Sequence, residues 1–111
     1  MIFTFLYTLV ALAGSYCGED KPFITDIKLN IVNDTCLDLT VKMPLVTPLV
    51  CDNQIYTLKE NNDQEELLLE GDCISDQLTK YDVSLEHIYY SYHEDTINIE
   101  TNDACLILEA C

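Results

Sequence analysis

The chain has 111 residues, of which 20 are acidic and five are lysines, and its formal net charge at pH 7 is −15. A chain of this length forms one domain. So negative a domain repels phosphate groups, which excludes binding to nucleic acid or anionic lipid through a basic patch. The acidity favours a soluble protein, and it would also steer a basic partner toward the surface.

The chain begins with an apolar leader. Residues 2–13 carry no charged side chain, and this run is shorter than the roughly 20 residues that a helix needs to cross a bilayer. Such a run is typical of a secretory signal peptide. Ala13 and Ser15 have the small side chains and the spacing of a signal-peptidase site. We therefore predict a leader over residues 1–15 and a secreted mature domain over residues 16–111, released through the endoplasmic reticulum. The alternative is an N-terminal core strand.

The next elements show the two-residue period of half-buried strands. In residues 23–32 the apolar side chains lie on one face, and residues 37–43 repeat the alternation after a polar turn at Asn33-Asp34-Thr35. Pro44 and Pro48 cannot donate hydrogen bonds to a ladder, so they restrict residues 45–50 to an edge strand or an extended crossing.

The remainder of the chain continues as short strands separated by polar turns. We predict strands at residues 54–59, 65–70, 84–93, 96–101 and 104–110. Residues 74–81 are the one segment that favours a helical turn. The pattern therefore predicts an all-β domain, a small disulfide-stapled sandwich of about seven short strands.

The six cysteines indicate disulfides, because the leader directs the chain to an oxidising compartment. A hairpin centred on Asn62 would place Cys51 opposite Cys73, and we predict a bond between them. The other four cysteines leave three connectivities open: Cys17, Cys36, Cys105 and Cys111. We favour Cys17 with Cys105 and Cys36 with Cys111, because residues 105 and 111 share one strand face. An even set of cysteines predicts a monomer or a non-covalent dimer.

The sequence offers little catalytic chemistry. Its two histidines, His87 and His93, lie on one predicted strand about 20 Å apart, too far to share a metal ion. The cysteines lack the paired spacing of a zinc site. We therefore predict no enzymatic activity, no metal and no cofactor.

The predicted strand that carries the histidines has a candidate binding face. One side of the strand presents His87, Tyr89, Ser91 and His93. The other side presents Ile88, Tyr90 and Tyr92, which we expect in the core. Tyrosine provides a large contact area at low entropic cost, so the first side could bind a protein. The alternative is an ordinary solvent-exposed strand face.

One sequon is present. Asn33-Asp34-Thr35 matches the acceptor pattern for an N-linked glycan in a surface turn. We predict glycosylation at Asn33. The alternative is an unmodified site, because Asp34 and the nearby Cys36 would hinder the transferase.

Several of these features occur together in one known family. They are a cysteine directly after the leader, the turn that ends at Cys36, the interval from Cys51 to Cys73, the aromatic and acidic run over residues 89–95, and a terminal apolar strand. In these features the chain resembles the secreted immunoglobulin-like accessory proteins of coronaviruses, of the open-reading-frame-eight and seven-a type. The resemblance implies an immunoglobulin-like sandwich that binds host secreted or cell-surface proteins and modulates immune recognition.

A second class of protein has similar composition and leader. A small disulfide-rich effector, toxin-like ligand or inhibitor from a cellular organism would also be secreted, acidic and rich in cysteine. Disulfide connectivity distinguishes the two classes, because the first requires bonds from the N-terminal strands to the C-terminal strands.

Overall fold

The computed structural model describes residues 12–20 and 24–111. These residues form eight strands and one short helix. The strands are β1 (Gly14–Asp20), β2 (Ile24–Ile31), β3 (Cys36–Lys42), β4 (Leu49–Asn61), β5 (Gln64–Leu69), β6 (Leu85–Ser91), β7 (Thr96–Thr101) and β8 (Cys105–Ala110). The helix α1 (Cys73–Thr79) lies between β5 and β6 in the chain and overlaps residues 74–81, the segment predicted to be helical.

The strands form a closed antiparallel barrel. Each strand pairs with the next along the chain, and β8 returns to pair with β1 through Tyr16↔Ala110 and Cys17↔Glu109. The all-β prediction is therefore confirmed, but the arrangement is a barrel of eight strands and the predicted sandwich of about seven is wrong. The closing contact joins residues more than 90 positions apart, and local alternation carries no information about such a pairing.

Two strand assignments also differ from the prediction. The first strand, β1, includes Gly14 and Ser15, which the sequence assigned to the leader; residues 1–11 of that leader lie outside the described residues. Residues 45–50, predicted as an edge strand or an extended crossing, do not form a strand of their own, because β4 begins at Leu49 and continues to Asn61. A register shift in the β3–β4 ladder accompanies Asn53, whose φ is 55°, so the long strand bends as a bulged strand does.

The barrel interior is filled by the inward side of every strand. Alternation along each strand produces this core, since successive side chains point to opposite faces. The buried hydrophobic side chains are Tyr16, Ile27, Leu29, Leu37, Leu39, Val41, Leu49, Cys51, Tyr56, Leu67, Ile74, Ile88, Tyr90, Ile97, Ile99 and Leu108. The prediction that Ile88 and Tyr90 face the core is confirmed. A small residue lets β1 approach β8, because a Cβ added at Gly18 would lie 2.6 Å from Leu108 Cδ2.

The structure contains the predicted bond between Cys51 and Cys73, with the two Cα atoms 6.0 Å apart. The geometry differs from the predicted hairpin. The β4–β5 register is offset by one residue, with Asn61 opposite Gln64, and Cys73 is the first residue of α1. The bond therefore ties the helix to β4.

The second bond joins Cys17 to Cys111, with the two Cα atoms 5.7 Å apart, and Cys36 and Cys105 are free. The favoured pairs, Cys17 with Cys105 and Cys36 with Cys111, are therefore wrong. The starts of β3 and β1 lie at the same end of the barrel, on either side of the end of β2, and the start of β1 pairs with the end of β8. The start of β8 is at the opposite end of the barrel, so Cys36 and Cys105 lie far apart.

Within the described ranges, no helix is long and apolar enough to cross a membrane.

Candidate protein-binding surface on β6

The four residues of the predicted binding face separate into different environments. His87 and Tyr89 lie on the outer side of β6, and the His87 side chain is 45% exposed. Ser91 is buried, with 7% of its surface exposed, and His93 lies beyond the end of β6 in the turn to β7. The four residues therefore do not form one continuous exposed strand face. The strand ends at Ser91, two residues before the predicted end, and the chain turns there.

Tyr89, Ser91 and His93 nevertheless border a common depression. Together with the β4–β5 turn, residues 61–64, they line a shallow depression of about 410 Å³. The turn reaches this position because Gln64 pairs with Ser91 across the β5–β6 ladder. The tertiary structure thus places the β4–β5 turn next to three of the four predicted binding residues.

His87 is held in place by two neighbours. Its Nδ1 atom lies 2.8 Å from Glu66 Oε2 on β5, and its ring stacks on the Tyr89 ring with centroids 5.3 Å apart. The hydrogen bond to Glu66 raises the pKa of the His87 imidazole, and the charges of Glu66, Glu100 and Glu86 act in the same direction. Partial desolvation, followed by the charges of Glu66 and Glu100, raises the pKa of the Tyr89 hydroxyl. The hydrogen bond and the ring stacking hold the His87 and Tyr89 rings in fixed orientations.

The register of the barrel extends this surface across four strands. Glu66 on β5 pairs with Tyr89, Tyr89 pairs with Asn98 on β7, and Asn98 pairs with Ile107 on β8. Directly opposed residues share one face of a sheet, so these side chains form a row on the outside of the barrel. Ile107 is 60% exposed. We refer to Glu66, His87, Tyr89, Asn98 and Ile107 as the β6 surface.

Three members of the β6 surface lie on other strands and could not be found by reading β6 alone: Glu66, Asn98 and Ile107. Glu66 was identified only as part of a strand, and Ile107 lies in an apolar run in which no alternation shows which side faces outward. Placing these residues beside Tyr89 requires the registers of three ladders. In residues 64–67 two acidic side chains, Glu65 and Glu66, are adjacent, so the sequence does not indicate which of them lies on the outer face.

A cleft adjoins the β6 surface where β5 and β6 separate. The two strands pair only through Gln64, Glu65 and Glu66, and the remainder of each strand diverges around α1. The cleft measures about 240 Å³, and Glu66 and His87 stand at its border. Its apolar lining comes from Leu67, Leu68, Leu69, Ile74, Leu85 and Ile88. The β6 surface is therefore continuous with an apolar recess.

The inner side of β6 is anchored by a partly buried hydrogen-bonded cluster. Asp95 Oδ1, in the β6–β7 turn, accepts hydrogen bonds from the hydroxyls of Tyr16 and Tyr90, at 2.7 and 2.9 Å. The two tyrosine rings meet edge to face with centroids 6.1 Å apart. Burial, followed by the hydrogen bond to Asp95, raises the pKa of both hydroxyls. This cluster fixes the end of β6 against β1.

The arrangement is suited to contact with another molecule. It combines a stacked aromatic pair and an exposed aliphatic side chain, which are residue types that protein interfaces use, with a cross-strand hydrogen bond between His87 and Glu66. In the part of the chain that the structure describes, no group of three or more His, Cys, Asp or Glu side chains could hold a metal ion. Comparison of the chain with protein-family models, with curated proteins and with solved structures finds no match.

Proposed function

We propose that this protein is a secreted, non-catalytic binding protein: a viral accessory protein that engages host secreted or cell-surface proteins and modulates immune recognition. The partner class and the viral origin come from the family resemblance in sequence. The mode of action, binding through an exposed face of the barrel, comes from the β6 surface.

The observation that carries the proposal is the ordered presentation of Tyr89. Its ring is stacked on His87, which in turn is hydrogen-bonded to Glu66, and the exposed Ile107 lies two strands away in the same row. An aromatic side chain that is already fixed loses little conformational entropy on binding. Aromatic residues near the centre of a packed patch carry much of the energy of protein interfaces.

The charge of the protein supports a partner with a basic contact surface. The β6 surface includes Glu66, and Glu100 lies opposite His87 on β7. With a net charge of −15 on the whole chain, long-range attraction would raise the association rate of a basic partner. We expect that rate to fall as salt is added.

The experiment is a binding measurement against a panel of purified host immune-receptor ectodomains and secreted immune ligands. We expect at least one member to bind the unmodified protein, and Tyr89→Ala to weaken that binding by about 30-fold, as loss of an interface hot spot does. Tyr81→Ala is the matched control, because Tyr81 is a tyrosine with 44% of its surface exposed and lies outside the β6 surface. The absence of any binder in the panel, or equal effects of the two substitutions, contradicts the proposal.

The barrel favours a second candidate, a small disulfide-bonded secreted ligand or inhibitor of a cellular organism. The family resemblance implies an immunoglobulin-like sandwich, whereas the eight strands close into a barrel. The two candidates share the β6 surface and differ in origin and partner. Finding the coding sequence in cellular DNA of its source, outside any viral genome, would support the second candidate.

A further inference from the structure

The start of β1 indicates where the leader is removed. We infer that signal peptidase cleaves between Ala13 and Gly14, so that the mature chain begins at Gly14. This inference rests on the secretion assumed in the proposed function. It replaces the site after Ser15, which we predicted from residue size alone.

Residue size permits two cleavage sites. A signal-peptidase site requires small residues at the first and third positions before the cut. Cleavage after Ala13 uses Ala11 and Ala13, and cleavage after Ser15 uses Ala13 and Ser15. Both pairs satisfy the requirement, so the leader sequence leaves the choice open and the fold of the product decides it.

Cleavage after Ser15 would remove part of the barrel. Gly14 and Ser15 pair with Ile31 and Asn30 of β2, and the Ser15 hydroxyl donates to Asn30 Oδ1 at 2.7 Å. Ladder pairing begins at Gly14. Leu12 contacts the core in the uncut chain but belongs to no strand. Cleavage after Ala13 therefore keeps the whole of β1.

Ser15 also positions a disulfide partner. The backbone N–H of Cys111 donates to the Ser15 carbonyl at 3.0 Å, and Cys111 is bonded to Cys17. Loss of Ser15 would leave the residue that follows β8 without this backbone contact. The bond that closes the barrel would then lose its local support.

The charge of the new amino terminus supports the same site. Cleavage creates an ammonium group that is charged at neutral pH. After cleavage at Ser15 this charge would sit on Tyr16, a residue that is 1% exposed and that pairs with both Leu29 and Ala110. Removing a charge from water is costly unless it is paired. Gly14 is exposed, so a terminus at Gly14 keeps its charge in water.

The test is the amino-terminal sequence and intact mass of the full chain after expression in secreting cells. We expect the secreted protein to begin at Gly14. A start at Tyr16, which lowers the mass by one glycine and one serine residue, or a start at any other residue, overturns the inference. Retention of the uncut chain inside the cells overturns the secretion on which the proposed function depends, so the two failures are distinguishable.

Two variants separate the competing sites. Ala11→Phe places a large side chain at the third position before the Ala13 cut and lies outside the motif of the Ser15 cut. Ser15→Val blocks only the Ser15 cut and keeps a strand-forming residue in β1. We expect Ala11→Phe to abolish the Gly14 terminus and Ser15→Val to leave it in place. The reverse result contradicts the assignment, and terminal sequencing reads either outcome even if a variant folds poorly.

Discussion

The hydroxyl of Tyr16 on β1 and the Oδ1 atom of Asp95 in the β6–β7 turn lie 2.7 Å apart, although the two residues are separated by 79 positions in the chain. Asp95 adopts a positive φ of 54°, which Asp tolerates better than most residues. Its carboxylate also accepts from Tyr90, so one exposed turn holds two buried tyrosines. Asp95 therefore links β1, the strand that pairs with β8 to close the barrel, to β6, the strand that carries Tyr89.

Tyr16→Phe should lower the free energy of unfolding. The substitution removes a partly buried hydrogen bond to a carboxylate, a type of bond that contributes about 1.5–3 kcal/mol. Chemical denaturation with tyrosine fluorescence or circular dichroism measures the change. Tyr81→Phe is the control, because Tyr81 is exposed, and it should alter stability by less than about 0.5 kcal/mol. Equal stability of Tyr16→Phe and the unmodified protein would contradict the role assigned to Asp95.

The folded protein should lose stability in alkaline solution. The pKa values of Tyr16, Tyr56 and Tyr90 are raised in the folded chain, chiefly by burial, while unfolded tyrosines ionise near pH 10. Above that pH the unfolded chain binds fewer protons than the folded chain, so the free energy of unfolding falls as pH rises. Tyrosinate absorbance during a pH titration should show a group of tyrosines that ionise only on unfolding. Ionisation of every tyrosine while the fold is intact would contradict this expectation.

His87 should titrate above the usual histidine range. Its pKa is raised by the hydrogen bond to Glu66, so the protonated imidazole favours the folded chain. This contribution is fully present below about pH 6.5, the unfolded value, and is lost as pH rises through the folded pKa. A proton NMR titration of the imidazole measures the value. Glu66→Gln should return it toward about 6.5, and an unchanged pKa in that variant would show that Glu66 is not the cause.

The native protein should contain two free thiols. Cys36 and Cys105 are unbonded, and Cys105 is exposed whereas Cys36 is half-buried. Alkylation without reduction, followed by peptide mass analysis, should label both, with Cys105 reacting faster. The double substitution Cys36→Ser with Cys105→Ser should preserve the fold. Replacing Cys17 and Cys111 together should cost about 2–5 kcal/mol, because that bond closes the barrel. A native protein without free thiols would contradict this connectivity.

Asn33 should carry a glycan in a secreting host. Its Oδ1 atom accepts hydrogen bonds from the backbone N–H groups of Thr35 and Cys36 and from the Thr35 hydroxyl, each at 2.9 Å, which leaves the amide nitrogen outside this network. Enzymatic release of N-glycans should therefore lower the mass of the secreted protein. Asn33→Asp keeps the acceptor oxygen and removes the glycan, whereas Asn33→Ala also loses the turn hydrogen bonds, each contributing about 0.5–1.5 kcal/mol. An unchanged mass after enzyme treatment would contradict glycosylation.

In the strands with an alternating pattern, the sequence alone determined which side chains face inward, because side chains alternate between the two faces every two residues. The alternation of Leu37, Leu39 and Val41 predicted their inward side, and the same period placed Ile88 and Tyr90 in the core. The hairpin pattern predicted the right partner for Cys51, but Cys73 lies at the start of α1 and not on the hairpin. These features depend on residues that are close in the chain, so they can be predicted from the sequence alone.

Only the tertiary structure decided which strands close the sheet and which outer residues meet. The pairing of β1 with β8 joins Cys17 to Cys111 and leaves Cys36 and Cys105 at opposite ends of the barrel. The row from Glu66 through Tyr89 to Ile107 depends on three ladders in fixed register. A strand's own pattern shows which side is apolar, but its partner is set by packing among distant segments, and a shift of one residue would reverse every face.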